Sequence, residues 1–400
     1  HRKTFYINSK LIKNKNTNLS VFANYRITKN SFTTNEKALN SRVTFNQKLF
    51  KNFIHINTVY ETSSGNVARQ DFIYVQTEPG LGFYTWIDYN DDGVKDFNEF
   101  EIAQFQDQAN YLRLPKPNLR FIATQRAKWN QTVTINPGNW ATKTGFKKVV
   151  SHFYNQSFLS VENEQERTPN SFQLNPFDFN ENSLVGLNLN LRNSLYFNKD
   201  LQKNSVTFTY GTSKLKQQYF IGNQENNILL HQLDYAHKFE GFWLLNFMGK
   251  TSNNTLETDN FANRNYEINA TEIQPKISFL YNENNRFSVF YHYKNKQNNL
   301  KNFEKLKQQK FGIDYFYISK KKNQISANIN VFLNDFTGDS NTPVAYQMLE
   351  GLQAGKNYTW SLLFNQKLNS FLNLNINYLG RKSEDSKTIH TGNIQLRAVF

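Results

Sequence analysis

A two-residue periodicity constrains this chain more than anything else in it. In Ile394-Gln395-Leu396-Arg397-Ala398-Val399-Phe400 the even positions are Ile, Leu, Ala and Phe, and the odd ones Gln, Arg and Val. Leu372, Leu374, Ile376 and Tyr378 alternate with Asn373, Asn375 and Asn377. Ile325, Ala327, Ile329, Val331 and Leu333 alternate with Ser326, Asn328 and Asn330. The pattern recurs at Phe311, Ile313, Tyr315 and Tyr317, at Phe287, Val289, Tyr291 and Tyr293, and at Leu187, Leu189 and Leu191 against Asn188, Asn190 and Arg192. A strand turns successive side chains to opposite faces, whereas a helix needs a period near 3.6. Seventeen strands are expected, near 3–13, 18–28, 41–50, 53–60, 120–136, 148–159, 184–197, 204–213, 226–237, 241–250, 268–281, 286–295, 307–318, 323–333, 357–367, 370–380 and 388–400.

A soluble sandwich also alternates, but two features favour a membrane. Connections alternate between tight (Lys320 to Asn323, Asn282 to Asn285, Lys367 to Ser370) and long (160–183, 251–266, 295–306, 334–356). Outer-membrane barrels have short periplasmic turns and long extracellular loops. Aromatics also collect at strand ends: Tyr235, Tyr281 and Tyr317 before short turns, and Tyr210, Tyr293, Tyr358, Trp360 and Tyr378 beside long loops. These read as two interfacial girdles. The mean hydropathy of -0.69 and the lack of a long apolar run exclude a membrane helix. They are compatible with membrane strands, in which every second residue stays polar. The expected fold is all-β, a transmembrane antiparallel up-and-down β-barrel.

Strand parity adds an expectation. With seventeen strands and the last running down to the periplasm, the first also runs down. Single-chain bacterial barrels have even strand numbers, so at least one strand is expected before His1. His1-Arg2-Lys3-Thr4-Phe5 carries no apolar leader. Residues 1–400 thus read as the C-terminal part of a barrel with a long extracellular insertion at 61–119. The terminal strand ending in Phe400 resembles the β-signal recognised by outer-membrane assembly machinery.

Within the insertion, residues 88–99 read Asp-Tyr-Asn-Asp-Asp-Gly-Val-Lys-Asp-Phe-Asn-Glu. This fits the calcium loop D-x-[DN]-x-[DN]-G-x5-E. Asp88, Asn90 and Asp92 offer side-chain oxygens, Val94 a carbonyl, Asp96 a ninth-position ligand and Glu99 a bidentate carboxylate, with Gly93 at the sharp turn. Lys95 stands where paired hands carry an apolar residue. Gly82 to Ile87 reads as a strand, and Phe97 to Tyr111 as a stretch able to form a short helix. A lone Ca2+ loop that stiffens the insertion is expected.

The Lys, Asn and Phe-rich composition, the Phe400 end and the run Phe83-Tyr84-Thr85-Trp86-Ile87-Asp88-Tyr89-Asn90-Asp91-Asp92-Gly93 resemble the large outer-membrane β-barrel proteins of Bacteroidota. That group includes nutrient importers with plug domains and very large secretion translocons. The resemblance implies a role in moving material across the outer membrane, alone or as a subunit of a complex.

No catalytic constellation is evident. His1, His55, His152, His231, His237, His292 and His390 are scattered, and neither H-E-x-x-H nor G-x-S-x-G occurs. Gly351-Leu352-Gln353-Ala354-Gly355-Lys356 is one residue short of a phosphate-binding loop and reads as a mobile surface loop. With no cysteine, disulfides and thiolate metal sites are excluded. The formal charge of +15 is spread over turns (Lys320, Lys321, Lys322), loops (Lys301, Lys305, Lys307) and polar strand faces (Lys276, Lys294), without a base-stacking motif, so nucleic acid is not an expected partner. The expected partners are outer-membrane lipids and surface lipoproteins or other subunits. Two further readings stay open: a structural or assembly barrel that docks lipoproteins through the calcium-stiffened loop, and a soluble secreted glycan-binding β-protein.

Overall fold

The computed structural model describes residues 1–29, 36–68, 71–116, 121–167, 172–219, 221–282, 284–300, 302–319, 323–369, 371–384 and 386–398. Lys301, Lys320, Lys321, Lys322, Ser370, Val399 and Phe400 lie outside the described residues, and with them the tip of the expected terminal signal.

The wall begins with β1 (Arg2–Lys13), β2 (Thr17–Thr28), β3 (Glu36–Leu49) and β4 (Ile54–Ala68). An insertion follows with β5 (Asp71–Gln76), β6 (Tyr84–Trp86), β7 (Phe100–Ile102) and β8 (Tyr111–Lys116). The wall resumes with β9 (Phe121–Ile135), the short helix α1 (Phe146–Val150), β10 (Phe153–Glu166), β11 (Leu184–Phe197), β12 (Ser205–Tyr219) and β13 (Gly222–Lys238). It continues through β14 (Trp243–Thr258), β15 (Tyr266–Asn282), β16 (Asn285–Asn298), β17 (Lys305–Ile318) and β18 (Gln324–Thr337). After α2 (Pro343–Leu349) it ends with β19 (Gly355–Lys367), β20 (Leu372–Ser383) and β21 (Ile389–Ala398). Seventeen strands form one antiparallel sheet, each pairing with the next wall strand along the chain. The all-β up-and-down architecture and the strand number are those the periodicity predicts. β1 and β21 run the same way and do not pair among the described residues.

Register assigns the two faces. Val289, Ile313 and Ile329 stand side by side across β16, β17 and β18. So do Phe290, Gly312 and Asn330, one residue along and on the opposite face. The first set belongs to a belt of exposed large apolar residues that runs along the wall: Leu229, Leu233, Phe247, Ile273, Ile277, Phe287, Val289, Phe311, Ile313, Ile329 and Leu362. Ile329 is 58% exposed. The opposite face carries Lys276 bridged to Asp314 at 2.7 Å and Arg42 bridged to Glu61 at 3.2 Å, with Arg126 and Lys128 on Glu162. A continuous exposed apolar band of this extent is foreign to soluble monomers. It is the outer surface a membrane barrel needs. No helix among the described residues is long and apolar enough to cross a membrane.

Several strands outrun their predicted ends, because main-chain pairing continues where apolar alternation stops. β14 runs to Thr258 through Thr251-Ser252-Asn253-Asn254, with Asn253 Nδ2 donating to Asn269 Oδ1 at 2.7 Å on β15. The long connections therefore shrink to 167–183, 259–265, 299–304 and 338–354. β12 likewise passes Tyr210 and reaches Tyr219, so Tyr210 lies mid-strand and the turn into β13 at Gly222 (φ +112°) is tight. Residues 146–150, placed partly in a strand by the sequence, form α1 instead. Residues 61–68 extend β4 instead of opening the insertion.

The long-loop end is not open polar space. α2 starts at Thr342, whose hydroxyl accepts from Ala345 N at 3.1 Å, with Pro343 in the first turn. The helix buries Val344, Ala345, Met348 and Leu349 against Leu256, Tyr266, Ile268 and Leu306 of the wall. These wall residues share the inward face, so a connection expected to be a free loop folds into the lumen. On the outer face, the segment at 172–183 folds over β9 and β10. Phe177 lies against Trp129, and Tyr60 OH and Gln165 Nε2 donate to Leu174 O and Asp178 O, which is why outward-facing Val161 is fully buried.

Candidate functional site

The insertion folds around its own aromatic core. β5 pairs with β8, and β6 with both β7 and β8. Tyr74 stacks on Phe100 with centroids 3.9 Å apart, and Phe72, Tyr84, Phe97 and Tyr111 pack edge-on or tilted around them. Alternation places these rings on one side of a small sheet, and the Arg113 guanidinium lies 4.8 Å over Phe72. Burial pushes the Tyr74 hydroxyl up to about 12. Gly82 permits the close crossing of the chain: a Cβ there would sit 2.5 Å from Tyr111 N. Beyond Phe97 the expected helix is replaced by a 3-10 turn (Phe97–Glu99), β7 and a second 3-10 turn (Gln106–Gln108). Phe100 is needed flat against Tyr74, and a strand delivers it there.

The acidic loop is wound as its sequence requires. Asp88 Oδ2 accepts from Gly93 N at 2.9 Å, Asn90 Oδ1 from Asp92 N at 3.2 Å, and Asp92 Oδ1 from Val94 N at 2.6 Å. Gly93 turns at φ +71°. Glu99 is 2% exposed, its Oε2 taking Trp86 Nε1 at 2.9 Å, and Asp96 caps the following turn. Lys95 lies 5.4 Å over the rings of both Trp86 and Tyr111, which accounts for a cation where paired hands have an apolar side chain. Among the described residues no three His, Asp or Glu side chains converge on one point as a metal cluster. The donors are nonetheless all oxygen, the set that suits a hard cation.

The sequence did not disclose how this unit docks. It leaves the wall between β4 and β9 yet touches β12, both loops flanking β15 to β18, and β20. Phe72 meets Tyr219 of β12. Arg264, in the β14–β15 connection, donates to Asn98 O, Phe100 O and Glu101 Oε2 at 2.9–3.1 Å. Tyr346 of α2 donates to Ile102 O and accepts from Gln104 N, each at 3.2 Å. Arg381 of β20 grips Asp107 through two nitrogens, at 2.6 and 3.3 Å, and lies 4.5 Å over Phe105. Gly351, expected in a mobile loop, abuts Gln104 and Phe105. Contacts at such separated points on the wall mean that the sheet curls around the insertion, which caps one end of the lumen. Burial raises the Glu101 carboxyl to about 7 against the opposing pull of Arg264. Burial likewise raises the neighbouring Tyr89 hydroxyl.

Beneath the cap lies a cavity of about 530 Å³. Phe105 and Asp107 roof it, and residues of β16 to β21 line it. Most of its charges are matched. Lys294 meets Glu350 at 2.7 Å and Arg381 holds Asp107, while the His292 ring hydrogen-bonds Glu272 at 3.0 Å. Burial alone would raise the Glu350 carboxyl, but Lys296 and Lys294 outweigh it and hold that carboxyl at about 2. The candidate residues Asp88 to Glu99 stand apart from this cavity, Asn90 to Asp96 on the cap's exposed rim and Glu99 buried beneath them. The residues that sequence reasoning missed are Arg264, Tyr346, Arg381 and Asp107 at the docking contacts, and the cavity wall. Asp107, Arg264 and Tyr346 lie in connections and Arg381 near the end of β20, positions where alternation gives no signal.

No protein-family model matches the chain, and a search of curated proteins finds no match. Among solved structures, the crystal structure of the usher PapC translocation pore aligns over 99% of this chain and 93% of that one, at 7% identity and a TM-score of 0.14. A score that low carries no argument.

Proposed function

We propose that this protein is an integral outer-membrane β-barrel, of the Bacteroidota type its sequence resembles, that moves material across the membrane or serves as a subunit of a complex that does. The observation that carries this reading is the pairing of an exposed apolar belt outside with ion-paired, hydrogen-bonding side chains inside. A sheet can span lipid only when its ladder is satisfied and its apolar face turned outward. The docked cap supports a gated lumen over a permanently open pore. Fractionation and heat-modifiability test the reading. The protein should stay with the outer membrane and shift in gel mobility on boiling, and release as a soluble protein whose mobility ignores boiling would end it.

The cap's acidic loop is read as a Ca2+ site held by Asp88, Asn90, Asp92, the Val94 carbonyl, Asp96 and Glu99. The cation would supply the charge that draws these oxygens together. Gly93 already holds the turn open. One observation favours a second role, the docking of surface lipoproteins: Leu81, Phe83, Val94 and Ile102 are 56–70% exposed on the cap. Partners that co-purify with the whole protein and are lost when residues 71–116 are deleted would support it.

A further inference from the structure

The lumen cavity contains polar groups that the fold itself does not use. Gln308 on β17 is fully buried, and neither Oε1 nor Nε2 has a hydrogen-bond partner among the described residues. Oδ1 of Asn330 on β18, opposite Gly312 and so on the other side of Lys310 from Gln308 along the strands, is also buried and unpartnered. Lys310 points the same way, and no carboxylate of the described residues lies within ion-pair distance of it. Its ammonium rests instead between the rings of Phe290 and Phe332, at 5.2 and 5.1 Å. A buried amide left unmet costs stability, and a ligand that meets these atoms would recover it. Lys294 and Arg381 each face a carboxylate, whereas Lys310 has no such partner among the described residues. A volume of about 530 Å³ is within the range of small-ligand sites.

We propose that this cavity binds a small organic carboxylate that carries hydrogen-bond donors beside its carboxylate group. The carboxylate pairs with Lys310. Gln308 Oε1 and Asn330 Oδ1 accept from the adjacent donors, Gln308 Nε2 donates to a ligand oxygen, and Phe332 faces the ligand's apolar side. A sugar acid and an N-acyl amino acid share this chemistry. The proposal rests on the reading of this space as a barrel lumen. Because Phe105 and Asp107 form the roof, the site is complete only with the cap docked.

The test is calorimetric titration of the detergent-purified full chain with galacturonate and with N-acetylalanine, each beside its neutral counterpart, galactose or N-acetylalanine amide. At least one carboxylate should bind, and which one does identifies the source. Its neutral counterpart should bind about tenfold or more weakly, the loss expected when a charge-assisted hydrogen bond is removed. Lys310→Met should abolish that preference. Gln308→Leu should lose binding while unfolding no earlier than the parent, because it removes two unmet polar atoms from a buried place. That combination separates a ligand-binding role from a merely structural one. No binding by either carboxylate, equal binding of the neutral compounds, or parent-like binding by both variants overturns the proposal. Heat-modifiability of the same sample reports on the barrel separately, so a failed site and a failed barrel give different results.

Discussion

At the scale of single residues, the face a side chain occupies outweighs its identity. Ile313 and Asn375 differ in polarity as their positions demand: Ile313 is 43% exposed in the apolar belt, and Asn375 lies on the inward face of β20, paired in register with Asn365. Ile313→Arg should destabilise the barrel by about 2–4 kcal/mol if it sits near the bilayer midplane. Asn375→Arg should be tolerated, because a polar interior can hydrate the new charge. Urea titration of refolding into lipid vesicles checks both, and equal tolerance would refute the lipid-facing assignment. The same logic explains Gly312. The Phe290 ring lies directly over it, and a Cβ there would also come within 2.7 Å of Asn330 Oδ1. The aromatic that flanks Lys310 owes its place to a missing side chain across the strand.

At the scale of elements, α2 and the cap are held by charge as well as by packing. Glu350 ends α2 in the left-handed region (φ +57°) and faces Lys294 and Lys296. Its carboxyl lies at about 2 when folded, below the ordinary glutamate value near 4.3. A depressed acid contributes stability that is complete above the unfolded pKa and fades as pH falls through the folded one. Stability should therefore decline between about pH 4.5 and 2, and Glu350→Gln should flatten that part of the curve. Parallel thermal melts of the two proteins across this window measure it, and curves of identical shape would remove the pair from the ledger. The acidic loop gives a second prediction. If Ca2+ fills it, chelation should expose the cap to protease before the wall is attacked, and Glu99→Gln should mimic chelation. A digestion pattern indifferent to Ca2+ would argue against the site.

At the scale of the whole molecule, the proposed transport role puts control of the lumen in the cap. Arg264 and Arg381 anchor it from different parts of the wall, each through hydrogen bonds to charged or carbonyl oxygens. Charge-assisted contacts of this kind are stronger than neutral ones and orient the groups they join. Replacing both by Met should undock the cap while leaving the wall sheet intact. Single-channel recording in planar bilayers should then show larger or more frequent openings than the parent gives, and deletion of 71–116 should do the same. Unchanged conductance in both variants would mean that something other than the cap closes the lumen.

The sequence by itself determined the wall. Alternation at Leu187 to Arg192, Phe287 to Tyr293 and Ile325 to Leu333 specified strands, faces and order, because a two-residue period has one structural meaning and consecutive antiparallel strands need only local connections. It also marked the acidic loop, whose turn geometry is set within twelve neighbouring residues. Strand ends were less legible. Thr251 to Thr258 pair through their main chain, a bond that leaves no trace in side-chain polarity. Only the tertiary structure decided what fills the lumen. The contacts of Arg381 with Asp107 and Tyr346 with Ile102 join residues more than 240 positions apart. The cavity at Gln308 and Lys310 exists because six strands and a folded insertion meet there. Periodicity reports the face on which a residue lies, and closure in three dimensions decides what it meets across the space within.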